Sequence, residues 1–278
     1  MTKILANDGI SQAGIDALTA KGFEVITEKV AQEDLINTIN TENYEVLLVR
    51  SATTVRKDLI DACPHLKVVG RGGVGMDNID VDYAREKGIN VINTPAASSA
   101  SVAELVFAHL FGMVRFLFDS NRQMPMVGDS DFKGLKKSYA NGRELAGKTL
   151  GIIGFGRIGQ EVAKRAIGLG MKIIAHDKFI EEVNITLDFF NGDKKSFTIE
   201  TESLKEVLSN SDFITLHIPK IGDKAVIGAE EIGMMKTGAG IVNAARGGVI
   251  DETALMFALD KEKLAYAGLD VFDNEPTA

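Results

Sequence analysis

The segment from Lys148 to Asp177, KTLGIIGFGRIGQEVAKRAIGLGMKIIAHD, constrains the fold of this chain more than any other stretch. Three of its glycines, Gly154, Gly156 and Gly159, have the spacing G-x-G-x-x-G. An apolar run precedes them, apolar residues at helical spacing follow, and a second apolar run ends at Asp177, 18 residues beyond Gly159. This pattern predicts a strand, a tight turn, a helix and a second parallel strand.

Each position in this segment has a physical reason if the turn binds a dinucleotide. Gly154 permits the tight turn, Gly156 lets the backbone approach a pyrophosphate, and Gly159 lets the helix pack closely on the sheet. The N–H groups and positive dipole of the helix start favour phosphate. Asp177 would bind a ribose diol and repel a 2′-phosphate, so the segment predicts NAD over NADP, a preference that Lys178 softens. The alternative is a βαβ unit whose glycines only shape the turn.

Strand and helix signals also alternate through the first third of the chain. Apolar runs such as KILAND, EVLLVR and INVINT are separated by helical patterns such as QEDLINTINTEN. This alternation predicts a parallel sheet covered by helices on both faces. Pro95 and a stretch of small residues end the first series. We therefore expect an α/β protein of two Rossmann-like or flavodoxin-like parallel-sheet domains with a cleft between them, residues 1–97 and 98–278.

Two segments depart from this alternation. The apolar segment AELVFAHLFGMVRFLFDS is interrupted by His109 and Arg115, so it falls short of the ~18 uninterrupted apolar residues of a membrane span. It predicts a buried or interface helix. Asn191 and Gly192 stand between two alternating segments, which predicts a β-hairpin. We interpret this hairpin as a surface addition, with a functional flap as the alternative.

Composition limits the classes of partner. The net charge of −8 argues against a protein that binds a nucleic acid backbone. The single cysteine, Cys63, excludes an intrachain disulfide and suits a reducing cytoplasm, and we expect it to be a packed residue. The N-terminal MTKILANDGI lacks the pattern of a signal peptide. The four histidines show no metal-ligand spacing, which predicts a protein without a metal site.

Seven stretches of the chain resemble, in order, the family of D-isomer-specific 2-hydroxyacid dehydrogenases. The resemblance covers essentially the whole sequence. It implies an enzyme whose NAD-binding domain is inserted into a split substrate domain, with hydride transfer between NAD and a 2-hydroxy or 2-oxo acid. The stretches are VRSATTV, VVGRGGVGMDNIDVDYAREKGINVINTP, SVAELV, GKTLGIIGFGRIGQEVAKR, DFITLHIP, IVNAARGGVIDETAL and AGLDVFDNEP.

The resemblance assigns catalytic roles to two residues. Arg246, in NAARGG, matches an arginine that holds the substrate carboxylate and polarises the reacting carbonyl. Its alternative is a surface arginine in a glycine-rich loop. Glu275 matches a glutamate that orients a catalytic histidine and favours the protonated form of that histidine. The histidine, a general acid and base, is expected roughly twenty residues beyond the glutamate, so we expect the 278-residue sequence to be a truncated form of an enzyme with a returning C-terminal segment.

Cofactor contacts follow from the same resemblance. It places two residues at the pyrophosphate turn, one beside the cofactor on a strand end, and two near the nicotinamide, of which the aspartate receives the carboxamide. Arg246 also flanks the nicotinamide. The five residues are Arg157, Ile158, His217, Ala244 and Asp270.

Substrate contacts are implied in the first domain. The backbone of Gly73 and Val74 would donate N–H groups to the substrate carboxylate. Arg50, Ser51 and Arg71 would face the far end of the substrate, where a phosphate needs cationic donors.

The leading hypothesis is therefore an NAD-dependent enzyme that acts on a small phosphorylated 2-hydroxy acid, interconverting 3-phosphoglycerate and 3-phosphohydroxypyruvate in serine biosynthesis. One alternative is a reductase of glyoxylate, hydroxypyruvate or D-lactate type on the same scaffold. Another is a non-catalytic NAD-sensing binding protein, which the presence of Arg246 and Glu275 disfavours. The family and the apolar helix also lead us to expect a homodimer, in which Lys137 could reach the neighbouring subunit's site.

Overall fold

Residues 1–275 are described by a computed structural model, in which the chain divides into two units, Met1–Ser98 and a second that begins at Ser99. Each unit contains a five-stranded sheet in which every neighbouring pair of strands is parallel. The predicted α/β fold class with two parallel sheets is confirmed.

The first unit alternates strands and helices from end to end. Its strands pair in the order β2-β1-β3-β4-β5. The chain moves outward from β1 to β2 and then returns to the other side of β1, so the strand order reverses between β1 and β3. The elements are β1 Lys3–Ala6, α1 Gln12–Ala20, β2 Glu24–Ile26, α2 Leu35–Glu42, β3 Val46–Val49, α3 Lys57–Ala62, β4 Val68–Arg71, α4 Val81–Glu86 and β5 Asn90–Asn93.

One face of this first sheet carries the core of the unit. Leu5, Leu47 and Val69 align across three strands and are fully buried. Helices α2, α3 and α4 all contribute to the same cluster of buried side chains. Cys63 belongs to it, and burial raises the pKa of its thiol to about 11, so the thiol stays protonated at neutral pH. The expectation that Cys63 is a packed residue is confirmed.

The opposite face of the first sheet is less covered than the alternating pattern predicted. Leu48, Gly70 and Ile92 align there in register, and Ile92 is 56% exposed. The physical reason is that α2, α3 and α4 pack on the other face, so this one keeps an open cavity at its β3–β5 side.

The second unit begins with three helices and continues with its own sheet. The strands pair in the order β12-β11-β10-β6-β7, with a reversal between β6 and β10. A short 3-10 turn, Tyr139–Asn141, precedes the sheet. The elements are α5 Ser99–Val114, α6 Leu117–Val127, α7 Phe132–Ser138, β6 Thr149–Ile153, α8 Arg157–Gly168, β7 Lys172–His176, β8 Glu182–Asp188, β9 Lys194–Glu200, α9 Leu204–Asn210, β10 Phe213–Leu216, α10 Ala229–Met234, β11 Ala239–Asn243, α11 Glu252–Asp260 and β12 Leu264–Leu269.

Both faces of the second sheet are covered. Strand β6 has an almost uniformly apolar sequence, TLGII, and its last four residues are buried. Leu150 and Ile152 pack into a cluster with side chains of α5 and α8, whereas Ile153 packs into a second cluster with side chains of α9, α10 and α11. A strand buried on both sides explains why β6 reads as a continuous apolar run.

The predicted hairpin is confirmed as strands β8 and β9, which pair in antiparallel register. Gly192 has φ +88° at the tip, and its N–H donates to the carbonyl of Phe189 at 2.9 Å. Ile185 of β8 is 1% exposed and belongs to the α5–α8 core, so the hairpin base is part of the packed unit.

The predicted apolar helix is α5, which is buried along one side by residues such as Val106 and Leu110. It bends into α6 at Phe116, where φ is +54°. Within residues 1–275, no single helix is long and apolar enough to cross a membrane. Helices α5 and α6, which meet at a 54° bend, reach that length and composition only as a pair, as buried core helices can.

Candidate functional site

The carboxyl ends of the strands in the second sheet carry the residues predicted to contact the cofactor. They follow the five strands of this sheet, with Ala244 and Arg246 both after β11, and parallel strands present their carboxyl ends at one edge. Ligands of such sheets bind where the strand order reverses, which here is between β6 and β10. The structure therefore brings these residues to one edge of the second unit: Gly154, Asp177, His217, Ala244, Arg246 and Asp270.

The glycine turn between β6 and α8 has room for a ligand at one position only. Gly154 has φ +94°, and a Cβ there would lie 2.6 Å from the His217 carbonyl oxygen. A Cβ on Gly159 would lie 2.3 Å from the Gly154 carbonyl oxygen. A Cβ on Gly156 would meet no protein atom within 4 Å. Gly154 and Gly159 are thus required by packing, whereas Gly156 borders open space.

The start of α8 suits a phosphate group. The helix begins at Arg157, and its N-cap, Gly156, supplies no side chain to bind the first N–H groups. Arg157 is exposed and Ile158 is half-buried. Backbone donors and a positive dipole end therefore lie beside the open space at Gly156, which fits a pyrophosphate.

Asp177, directly after β7, holds the turn as well as facing the edge. Its Oδ2 accepts the N–H of Phe155 at 2.7 Å, and its Oδ1 accepts the N–H groups of Phe179 at 2.9 Å and Ile180 at 3.3 Å. A carboxylate has about four lone-pair sites, so acceptor capacity remains for a ribose hydroxyl. The sequence indicated the ribose contact but not the bond to Phe155, which ties β7 to the glycine turn.

His217 follows β10 beside this turn. Its Nε2 lies 3.0 Å from Oγ1 of Thr215, and its Nδ1 is buried without a hydrogen-bond partner in residues 1–275. Burial of the ring lowers the pKa of His217 to about 4. The imidazole is therefore neutral near pH 7, which agrees with a place beside the cofactor and not with a proton-donating role.

Asn243, the last residue of β11, organises the loop that carries Arg246. This buried side chain donates from Nδ2 to the Arg246 carbonyl at 2.9 Å and accepts the Ala245 N–H at 3.1 Å. Its own carbonyl accepts the N–H of Asp270 at 3.0 Å. Asn243 therefore fixes Ala244 and Arg246 after β11 and Asp270 after β12, a role that sequence reasoning missed.

Arg246 and Glu275 lie on neighbouring loops. Arg246 is partly buried, and its Nη1 donates to the Ala245 carbonyl at 2.7 Å. A Cβ on the next residue, Gly247, would lie 1.8 Å from the Phe272 carbonyl oxygen, so only glycine permits this approach of the two loops. Exposed Glu275 accepts the N–H of Phe272 at 2.9 Å and closes its own turn.

The residues predicted to bind substrate lie in the first unit. Arg50 and Arg71 line a cavity of about 620 Å³ at the carboxyl ends of β1, β3, β4 and β5. Arg50 also lines an adjoining depression of about 420 Å³, together with Ser51. The cavity includes the reversal between β1 and β3, where this class of sheet binds ligands.

Gly73 and Val74 lie in the loop beyond β4, and much of their hydrogen-bonding capacity is used locally. The Gly73 N–H donates to the Arg71 carbonyl at 3.0 Å. The Val74 carbonyl accepts from Asn93 Nδ2 at 2.7 Å. The Arg71 guanidinium donates to the Gly75 carbonyl, so Arg71 supports this loop in addition to lining the cavity.

In residues 1–275 no group of three or more His, Cys, Asp or Glu side chains is arranged to hold a metal ion.

A glycine turn at a helix start, on the reversal of a parallel sheet and with an acid after the next strand, defines a dinucleotide-binding domain. Residues 107–278 match the family model for the NAD binding domain of D-isomer specific 2-hydroxyacid dehydrogenases. The chain belongs to this family, which confirms the resemblance and the prediction of NAD as cofactor.

Two relatives in sequence illustrate the range of the family. The chain is 43% identical to a D-3-phosphoglycerate dehydrogenase of Methanocaldococcus jannaschii over 99% of this chain and 50% of that protein. It is 42% identical to a hydroxypyruvate reductase of Thermotoga maritima over 99% of this chain and 84% of that protein. The chain therefore spans about half the length of the phosphoglycerate dehydrogenase.

Solved structures agree in fold. A glyoxylate reductase from Paecilomyes thermophila matches with a TM-score of 0.79 and 30% identity, over 99% of this chain and 83% of that one. A D-lactate dehydrogenase from Aquifex aeolicus, complexed with NAD and lactic acid, matches with a TM-score of 0.70 and 30% identity, over 99% and 78%.

Gly156→Ala tests whether the open space at the start of α8 receives the pyrophosphate. Because the added methyl group meets no protein atom within 4 Å, the free energy of unfolding should fall by no more than about 1 kcal/mol, the cost of an alanine at an N-cap. The Kd for NAD should rise at least roughly tenfold, since the methyl group occupies space needed by the ligand. Urea unfolding and titration calorimetry measure the two quantities.

Two further glycines of α8 serve as controls. Gly168→Ala also meets no atom within 4 Å and should leave the Kd for NAD unchanged, while the gain in helix propensity raises stability by up to about 1 kcal/mol. Gly159→Ala places a methyl group against the Gly154 carbonyl and should destabilise the unit by about 1–3 kcal/mol. A folded Gly156→Ala variant with an unchanged Kd would contradict the assignment.

His217 predicts how stability depends on pH. Its folded pKa of about 4 lies below the ordinary 6.5, so the unfolded chain binds one more proton between these values. The stabilisation that comes from keeping His217 neutral is therefore complete above about pH 6.5. As the pH falls toward 4, this part of the free energy of unfolding is lost at up to about 1.4 kcal/mol per pH unit. His217→Gln should flatten this slope in urea unfolding series between pH 7 and 4.5. The exposed His65, changed to Gln, should leave the slope as it is.

Proposed function

We propose that the protein is an NAD-dependent D-2-hydroxyacid dehydrogenase whose substrate pair is 3-phosphoglycerate and 3-phosphohydroxypyruvate, the activity of a D-3-phosphoglycerate dehydrogenase. The observation that carries the choice of a phosphorylated substrate is the cavity of the first unit, which two arginines, Arg50 and Arg71, line. An anionic group at the far end of the substrate matches this charge. The similarity to a D-3-phosphoglycerate dehydrogenase at 43% identity supports the same choice.

NAD binding would use the edge of the second sheet. Arg157 and Ile158, at the start of α8, would contact the pyrophosphate, and Asp177 would accept hydrogen bonds from the adenosine ribose. Ala244 and Asp270, which Asn243 fixes, would flank the nicotinamide and receive its carboxamide. When bound, NAD supplies the hydride acceptor of the oxidative direction.

Arg246 would orient the substrate and polarise its carbonyl. A guanidinium presents two parallel N–H donors that match a carboxylate, and its charge stabilises negative charge developing on the carbonyl oxygen. Partial burial and the Asn243 hydrogen bond to its main chain hold this loop in place before substrate arrives. Glu275 would orient the general acid, a histidine by family resemblance, and favour the protonated form of that histidine.

The first unit would bind the rest of the substrate. Arg50 and Ser51 are exposed at the cavity and its adjoining depression, where they would bind the phosphate. The Gly73–Val74 backbone would approach the substrate carboxylate, with the Val74 N–H as the donor since the Gly73 N–H already binds the Arg71 carbonyl. We accordingly assign residues 1–97 to a substrate domain and 98–278 to the NAD-binding domain.

A second candidate function is the reduction of glyoxylate or hydroxypyruvate. The hydroxypyruvate reductase at 42% identity and the glyoxylate reductase of similar fold favour it. We propose a cytoplasmic location and a role in serine biosynthesis for the leading candidate. The single, buried and protonated Cys63 suits a reducing compartment.

We also propose that the protein is a homodimer. Helices α6 and α7 expose several large apolar side chains, more than a monomer commonly leaves in water on one segment. The same segment carries charges of both signs, including Asp119 and Arg122, which can pair with each other across a two-fold axis. Lys137 is exposed near the end of α7 and could reach a neighbouring site. The exposed apolar residues are Leu117, Phe118, Met124, Met126 and Phe132.

Substrate choice is tested by NADH oxidation with three 2-oxo acids. The leading proposal expects the highest kcat/KM with phosphohydroxypyruvate, whereas a higher value with glyoxylate or hydroxypyruvate supports the second candidate.

Arg246→Lys should lower kcat/KM roughly a hundredfold or more, because a lysine lacks the planar fork. Arg85→Lys, on the exposed side of α4, is the matched control and should keep the wild-type value. In a protein that carries the general-acid histidine, NAD binding without turnover of any of the three acids would indicate the non-catalytic binding protein.

The oligomeric state is tested by sedimentation at micromolar concentration, which should give about twice the 29.9 kDa chain mass. The double variant Phe118→Ser with Met126→Ser should shift the protein toward monomer, because both side chains are about three-quarters exposed in the single chain. Phe190→Ser, at the fully exposed hairpin tip, is the control and should leave the dimer intact. A wild-type monomer would refute the proposal.

A further inference from the structure

The loop after β3, residues 50–53, is held from one side by Asp8, which follows β1. Oδ2 of Asp8 accepts the N–H of Arg50 at 2.6 Å and the N–H of Thr53 at 3.1 Å. Oδ1 accepts the hydroxyl of Thr53 at 2.8 Å. One carboxylate thus binds both ends of a four-residue loop across the reversal of the sheet.

Asn78, in the loop after β4, holds the same two residues from the other side. Its Nδ2 donates to the Arg50 carbonyl at 2.8 Å and to the Thr53 carbonyl at 2.6 Å. Its main chain is also joined to the segment that follows, because the N–H of Val55 donates to the Asn78 carbonyl at 2.8 Å. Asp8 and Asn78 together therefore bind the N–H and the carbonyl of both Arg50 and Thr53.

The hydrogen bonds around Asp8 favour its ionised form. Asn7 Nδ2 donates to the Thr53 hydroxyl at 2.9 Å, and that hydroxyl donates its own hydrogen to Oδ1 of Asp8. Burial raises the pKa of Asp8, but hydrogen bonds from Arg50 and Thr53 and the charge of Lys29 outweigh burial, and the pKa is lowered. Asp8 is therefore a charged acceptor at neutral pH, and charge-assisted hydrogen bonds are stronger than those between neutral groups.

The 50–53 loop borders two adjoining openings at the carboxyl edge of the first sheet. Asp8 and Arg50 line the cavity of about 620 Å³ and the depression of about 420 Å³, and Ser51 lines the latter. Thr53 is 3% exposed, whereas Arg50 and Ser51 are exposed. Asp8 and Asn78, together called the clamp, bind the main chain of the loop and the buried Thr53. They leave the side chains of Arg50 and Ser51 facing the cavities.

We propose that Asp8 and Asn78 are positioning residues for substrate binding, which fix the 50–53 loop so that Arg50 and Ser51 form a preformed site for the anionic end of the substrate. A site ordered before binding loses less freedom when the ligand arrives. The proposal rests on the function proposed above, because it needs a 2-hydroxy or 2-oxo acid in this cavity.

The variant Asp8→Asn distinguishes a role of Asp8 in positioning the loop from a role in repelling an anionic substrate. If the carboxylate acted only by repelling an anionic substrate, its removal would lower KM. If it positions the loop, KM rises, because a neutral amide accepts more weakly than a carboxylate and, with its one oxygen on the two backbone N–H groups, turns its NH₂ group toward the Thr53 hydroxyl. We expect KM for the preferred 2-oxo acid to rise about tenfold or more, kcat to change less than about threefold, and the Kd for NADH to stay constant.

Asn78→Ala should also raise KM. In the double variant KM should rise by less than the product of the two single effects, since both residues hold one loop. Asp80→Asn is the matched control, because Asp80 also accepts a backbone N–H, that of Lys57 at 3.1 Å, but lines neither cavity. It should leave KM and kcat at wild-type values. Thermal unfolding identifies variants that fail to fold, and Asn78→Ala carries the prediction if Asp8→Asn does not fold.

Arg50→Ala distinguishes this inference from the proposed function. A raised KM for Arg50→Ala with an unchanged or lowered KM for folded Asp8→Asn overturns the clamp and leaves the proposed function standing. A loss of kcat with constant KM in Asp8→Asn also overturns it, since Asp8 would then act on the reaction itself. A wild-type protein that carries the general-acid histidine and turns over no 2-oxo acid, or an Arg50→Ala variant with wild-type KM, overturns the substrate site and the clamp together.

Discussion

The close approach of the glycine turn to strand β10 is the contact on which the second unit depends. Gly154 lies against the carbonyl of His217, and Gly159 lies against the carbonyl of Gly154, with no space for a side chain at either position. These contacts bring α8 down onto the sheet where the strand order reverses. They also create the open space at Gly156, so the packing of the unit and the shape of the proposed NAD site have the same origin.

Both units use polar side chains to fix the loops at the edge of a parallel sheet. In the second unit Asn243 binds the loop of Arg246 and the residue after β12. In the first unit Asp8 and Asn78 bind the loop of Arg50. Loops at the carboxyl edge have no strand partner for their backbone groups, so side chains satisfy these groups and set the loop geometry.

Much of the fold was predictable because its signals are local. Apolar runs, helical spacing, the glycine turn and Asn191-Gly192 each specify an element within a short window. The clamp of Asp8 and Asn78 could not be predicted. Asp8 is 42 positions and Asn78 is 28 positions from Arg50 in the sequence, and only the strand order brings the three residues together. The open face at Ile92 was also missed, since alternation does not tell which face a helix covers. Arg246 and Glu275 were predictable only through the family resemblance.

The double attachment of Asp177 has a consequence for redesign of coenzyme choice. The carboxylate that would discriminate against a 2′-phosphate also accepts the N–H of Phe155 within the glycine turn and two N–H groups after β7. The side chain proposed to set the coenzyme preference is thus also the one that holds the glycine turn to the end of β7. An apolar or basic residue at position 177 would admit the phosphate but leave three backbone donors without their acceptor, so such a change of coenzyme needs a second substitution that restores the turn.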